Sequence, residues 1–96
     1  MHVVVNHLRL RDPVTEETKE VSRAAVQAVV DAGGLAAHVA NVDDRHLILV
    51  LMFASLEDAD RIAREIGAPW MREHIVPLLD SETERSVGEV FASAQT

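Results

Sequence analysis

Residues Leu47 to Ala54 form an unbroken apolar run of eight residues. A membrane helix needs about 20 such residues, so this run is too short to cross a bilayer. It has the length of a strand buried on both faces. Val3-Val4-Val5-Asn6-His7-Leu8-Arg9-Leu10 is β-branched and reads as a second strand of the same kind. Side chains alternate across a strand. One face of the Leu47 run therefore carries Leu47, Leu49, Leu51 and Phe53, and the other Ile48, Val50 and Met52. In the first strand, Val3 and Val5 oppose Val4, Leu8 and Leu10. Helices on one side of such a sheet leave at least five large apolar side chains uncovered. Burying each contributes about 1.5–3 kcal/mol, roughly 7–15 kcal/mol together as an upper bound. The pattern predicts a homodimer through the open sheet face.

The rest of the chain fills in a repeating order of strand and helix. Arg11-Asp12-Pro13 stops the first strand; Asp12 is the expected N-cap, with Pro13 at the first helical position. Val21, Ala25, Ala28, Val29 and Ala32 recur at helical spacing, and Gly33-Gly34 ends that helix. Leu35 to Val42 is the second strand, Asp43-Asp44 a turn, and His46 to Ala54 the third strand. Ser55 caps the next helix with Asp58 three residues on, and Gly67 is expected to end it. A short helix then runs from Pro69 to about Leu79. Glu82 to Ala92 is the last strand, with Val87 and Phe91 on one face. The order βαββαβ predicts a single α+β domain over 1–96. It is ferredoxin-like, with a four-stranded antiparallel sheet whose first and third strands are central.

Composition narrows the partners. Nine basic residues against 16 acidic ones give a net charge of −7, which argues against nucleic acid and anionic membrane. There is no Cys, hence no disulfide, thiolate metal site or Cys nucleophile. No signal segment stands at the N-terminus, so a soluble, cytoplasmic protein is expected. One Lys, eight Arg and 13 Ala are the usage of a GC-rich bacterial genome. There is no Ser-His-Asp pattern, Gly-rich phosphate loop or dinucleotide fingerprint. The five His show no HxH or HxxxH spacing and no acidic cluster joins them, so no metal site is expected.

Two positions invite a functional reading. Asn6 lies in the middle of a central strand, and a buried amide left unpaired costs about 1–3 kcal/mol. It either bonds to the structure or points a donor at a ligand. Trp70, Met71, His74 and Leu78 share one face of the short helix. His74 is either a half-buried packing residue or an imidazole lining an apolar pocket, able to ligate iron or move a proton. Trp70 is an anchor for that helix or a stacking platform.

From about His2 to Ala92 the chain resembles the antibiotic-biosynthesis monooxygenase family of dimeric α+β-barrel proteins. The likeness rests on the element order and three stretches: Val5-Asn6-His7-Leu8, Met52-Phe53-Ala54-Ser55-Leu56-Glu57-Asp58-Ala59, and Trp70 to Leu79 with His74 and Pro77-Leu78-Leu79. The family includes oxygenases that work without metal or flavin on polycyclic aromatics, and relatives that bind and degrade haem. The resemblance therefore implies a cofactor-independent monooxygenase acting on a small aromatic or polyketide-like compound. Its alternatives are a haem-binding or haem-degrading protein, and a non-enzymatic small-molecule-binding or accessory dimer. In the haem degraders an Asn in the first strand, a Trp ending the third and a His in the later helix form the site. Asn6 and His74 match two of those places. Phe53 stands where Trp is expected and lacks the indole N–H. Asn6 is thus the implied donor to a substrate oxygen or dioxygen. His74 is the implied base, or the iron ligand in the haem version, and Phe53 and Trp70 are the apolar walls.

Overall fold

The structure, a computed structural model, describes residues 1–94. Strands β1 (His2–Arg9), β2 (Ala36–Asp43), β3 (His46–Phe53) and β4 (Glu84–Glu89) form one sheet in the order β2-β3-β1-β4. All three pairings are antiparallel. The two apolar strands are therefore the central ones, where both faces need cover. Helix α1 (Glu16–Asp31) and a helical run beginning with α2 (Leu56–Ile62) lie on one face. Val4, Leu8 and Leu10 of the first strand region meet Leu47, Leu49 and Phe53 of β3 beneath those helices, all buried. Val3, Val5, Ile48, Val50 and Met52 occupy the other face, which carries no helix. These five are half-buried, because neighbours along the sheet already shield each other. Less than the 7–15 kcal/mol inferred from sequence is left for a partner to supply.

α1 begins later than its sequence suggests. Thr15, not Asp12, is the cap: its Oγ1 accepts the Thr18 N–H at 3.2 Å. The preceding residues are tied to the β2–β3 turn. Leu10 N donates to Arg45 O at 2.7 Å and Val14 N to Asp44 O at 2.8 Å, so the helix starts only past Val14. The helix closes as expected. Gly33 takes φ 118°, its N–H bonds Val30 O at 3.1 Å, and Gly34 N bonds Val29 O at 2.9 Å.

Ser55 caps α2 as expected, accepting from Asp58 N at 3.1 Å. Gly67, however, ends nothing. It stays in the right-handed helical region (φ −63°, ψ −52°), and the run continues to Leu78. Wide π-type turns at Ala63–Gly67 and Met71–Ile75 flank α3 (Ala68–Trp70), and a 3₁₀ turn, Val76–Leu78, closes the run. Each wide turn comes before a proline, Pro69 or Pro77. Proline cannot donate to the carbonyl four residues back and its ring collides with it; widening the preceding turn relieves the clash without breaking the helix. The gap thus opened lies over the middle of the sheet.

β4 is shorter than the expected Glu82–Ala92. Its ladder on β1 stops at His2↔Glu89, where β1 runs out of residues to pair, and Val90 N makes one last bond to Met1 O at 2.9 Å. Phe91 consequently lies past the sheet and is 99% exposed. Among the described residues no helix is long and apolar enough to cross a membrane.

Candidate functional site

β1 presents Val4, Asn6 and Leu8 to the helices in succession. Val4 packs with Val29, Phe53, Ala59 and Ile62, while Leu8 packs with Leu10, Leu47 and Ile75. Asn6 falls between these two clusters. The apolar core is thus divided at the one polar side chain in the row. A cavity of about 400 Å³ opens there, under the widened helical turns. Such a volume lies within the roughly 300–1,000 Å³ of small-molecule sites.

The walls are mostly aliphatic, with Leu49, Phe53 and Met71 among them. Phe53, at the end of β3, is only 1% exposed and serves both the core and the cavity. The polar groups are few: the Asn6 amide, Thr83, and the guanidiniums of Arg72 and Arg85. Arg85 is the register partner of Asn6 on β4, so it shares the helix-side face. Arg72 reaches the cavity from the second wide turn. Among the described residues neither arginine is in an ion pair, whereas Arg9, Arg23 and Arg61 all are. No Asp, Glu or His lines the cavity. In a chain of net charge −7, the mouth of the cavity is a local patch of uncompensated positive charge, with both arginines exposed at its rim.

Asn6 is 9% exposed, and the side-chain hydrogen bonds of the described residues leave its amide unused. It points at the cavity with donor and acceptor available.

His74 and Trp70 lie elsewhere. His74 lines a separate cavity of about 410 Å³ between the start of α1 and Pro77-Leu78, and its Nε2 stands 3.8 Å from Glu73 Oε2. Trp70 packs beside the Leu8 cluster and against a small void of about 20 Å³ shared with Val29 and Leu51. Its indole N–H is buried without a partner. Asn6 and Phe53 thus share a wall; His74 and Trp70 are outside it. Arg72 and Arg85 went unnoticed in the sequence. Arg85 sits two residues before Val87, so strand alternation already put both on one face of the last strand. A second unforeseen pairing joins His7 Nδ1 and His46 Nε2 at 3.0 Å on the opposite face. Among the described residues no group of three or more metal-ligating side chains converges.

No family model and no curated protein matches the chain by sequence. Solved structures do match by fold. An antibiotic biosynthesis monooxygenase aligns with a TM-score of 0.81 at 12% identity, over 96% of this chain and 100% of that one. SnoaB, a cofactor-independent oxygenase from Streptomyces nogalater, aligns at 0.73 and 15%, over 99% of this chain and 94% of its own. The heme-degrader MhuD from Mycobacterium tuberculosis, with two hemes bound in its active site, aligns at 0.70 and 14%, over 99% and 100%. The chain therefore has the ferredoxin-like α+β fold of these proteins over nearly all of its length.

Proposed function

We propose that the chain belongs to the antibiotic-biosynthesis monooxygenases and oxidises a flat, acidic hydroxyaromatic or polyketide-like compound without a cofactor. The observation that carries this reading is the composition of the central cavity: apolar walls, one free amide and two unpaired guanidiniums, with no acid. A hydroxyaromatic ring fits between Phe53, Leu49 and Met71. Arg72 and Arg85 favour its ionised form, because a nearby opposite charge stabilises the anion. Asn6 donates to a substrate oxygen and fixes the ring's orientation. The electron-rich anion then reduces dioxygen. A ring C–H becomes C=O, the neighbouring hydroxyl becomes the second carbonyl of a quinone, one oxygen atom enters the product and the other leaves as water. The substrate supplies all the electrons. The apolar walls exclude bulk water from the reacting carbon.

The haem alternative requires an imidazole on the iron. His74, the residue matched to that role, opens on another cavity, and no histidine lines the one that holds Asn6. The two arginines would suit carboxylates of such a group, but the remaining wall offers it no nitrogen ligand. A non-enzymatic binding protein is the second reading, and one observation favours it: no carboxylate or imidazole is present in the cavity to act as base.

Oxygen uptake against a panel of quinols and anthrones separates these. The proposal expects turnover that falls at least tenfold in Asn6→Ala, with haemin producing no Soret shift that depends on His74. Tight binding of the panel without oxygen uptake would favour the binding protein, and uptake unchanged in Asn6→Ala would remove Asn6 from the site.

We further propose that a second copy covers the open face of the sheet through Val3, Val5, Ile48, Val50 and Met52. A two-fold pairing of identical apolar faces is the simplest way to bury them.

A further inference from the structure

His7 and His46 are 39 residues apart in the chain, and the β1–β3 register brings them together. His7 pairs with Ile48 and His46 with Arg9, so the two imidazoles are diagonal neighbours on the face away from the helices. Nδ1 of His7 and Nε2 of His46 are 3.0 Å apart; the ring centroids are 5.2 Å apart and the planes tilted by 38°. Both residues are half-buried. With a single proton between them, one ring donates and the other offers its lone pair.

We propose that this pair is a two-histidine chelate for a late first-row divalent cation such as Zn²⁺ or Ni²⁺. An imidazole nitrogen binds zinc at about 2.0–2.1 Å, so two nitrogens in adjacent coordination positions stand about 2.9–3.4 Å apart. The separation in the protein already falls in that range; the two nitrogens face each other in a hydrogen bond, and rotation of both rings turns their lone pairs onto one ion. For both lone pairs to face one ion, the donating ring carries its proton on its other nitrogen; no proton is gained or lost. Imidazole suits Zn²⁺, Ni²⁺ and Cu²⁺, whereas Mg²⁺ prefers oxygen. Glu84, the register partner of His7 on β4, brings the neighbouring carboxylate and is bound to Arg9 at 3.0 Å. That pair is neutral and leaves two protein ligands, with water completing the shell. The site is on the opposite face of the sheet from the Asn6 cavity, at the strand end where β3 begins, beside the apolar patch proposed to meet a second copy; it is independent of any oxygenase activity.

Calorimetric titration of the full-length, tag-free protein with zinc chloride and nickel chloride, and with magnesium chloride as control, tests the proposal. Saturation at one ion per chain is expected for zinc and nickel and none for magnesium. His7→Gln and His46→Gln should each weaken binding tenfold or more while keeping the circular dichroism of the parent. His38→Gln, on the same face of β2, should bind as the parent does. In nitrogen NMR spectra the His7 and His46 rings should shift on zinc addition and His74 should not. Absence of saturable zinc or nickel binding up to millimolar concentration would overturn the proposal. So would affinity unchanged in both the His7 and His46 variants.

Discussion

Asn6 shows what one polar residue does in an apolar row. On either side of it β1 contributes Val4 and Leu8, each at the centre of a packed cluster. Asn6 joins neither, and its amide faces the cavity. The cavity keeps that amide within reach of water, so it escapes the penalty of about 1–3 kcal/mol for a sealed, unpaired amide. Asn6→Leu should therefore change the stability of the protein by less than about 1 kcal/mol in urea unfolding, while destroying ligand binding. A larger loss of stability would mean that the amide is bonded into the core. Gly34 makes the opposite case. A Cβ there would lie 2.8 Å from Val29 Cγ1 and 2.9 Å from the Val29 carbonyl oxygen. Gly34→Ala should cost about 1–3 kcal/mol by the same measurement, since the crowding atoms include backbone.

At the scale of elements, local signals were readable where chemistry was local. Ser55 with Asp58, and Gly33-Gly34 after an amphipathic run, mark helix ends through bonds made within five residues. The start of α1 was misleading because Asp12-Pro13 looks like a cap, yet Val14 is held by a carbonyl 30 residues away. Thr15→Ala should thus cost about 1 kcal/mol, whereas Asp12→Ala should stay within about 0.5 kcal/mol; equal effects would contradict the assigned cap. Gly67 misled for a similar reason. Pro69, two residues on, suggests a break, but a wide turn before it carries the helix through, and a proline in the sequence marks either outcome. That turn also helps to make the cavity, so the site's roof was hidden while its floor, Asn6 and Phe53, was legible. Arg85 and the His7–His46 pair depend on which residues face each other across strands, and a single strand's alternation does not state that register.

For the whole molecule, the order of strands follows from the two runs that are apolar on both faces, since only central strands can bury both. The sheet order β2-β3-β1-β4 puts them there. The same need for cover extends beyond one chain. Light scattering at micromolar concentration should give about twice the 10.5 kDa chain mass. Val50→Glu, in the middle of the open face, should give a single chain mass. A parent protein that scatters as a monomer would leave that face without its proposed cover.

On this reading the cavity beside Asn6 takes a flat, acidic ligand through Arg72 and Arg85. A visible-absorption titration with a hydroxyanthraquinone reads that binding, because the phenolate form absorbs at longer wavelength. Saturable binding at one ligand per chain is expected, with growth of the phenolate band near neutral pH, lost in Asn6→Leu and weakened at least tenfold in Arg72→Gln and Arg85→Gln. Binding that brings up no phenolate band, or that survives all three substitutions intact, would contradict it.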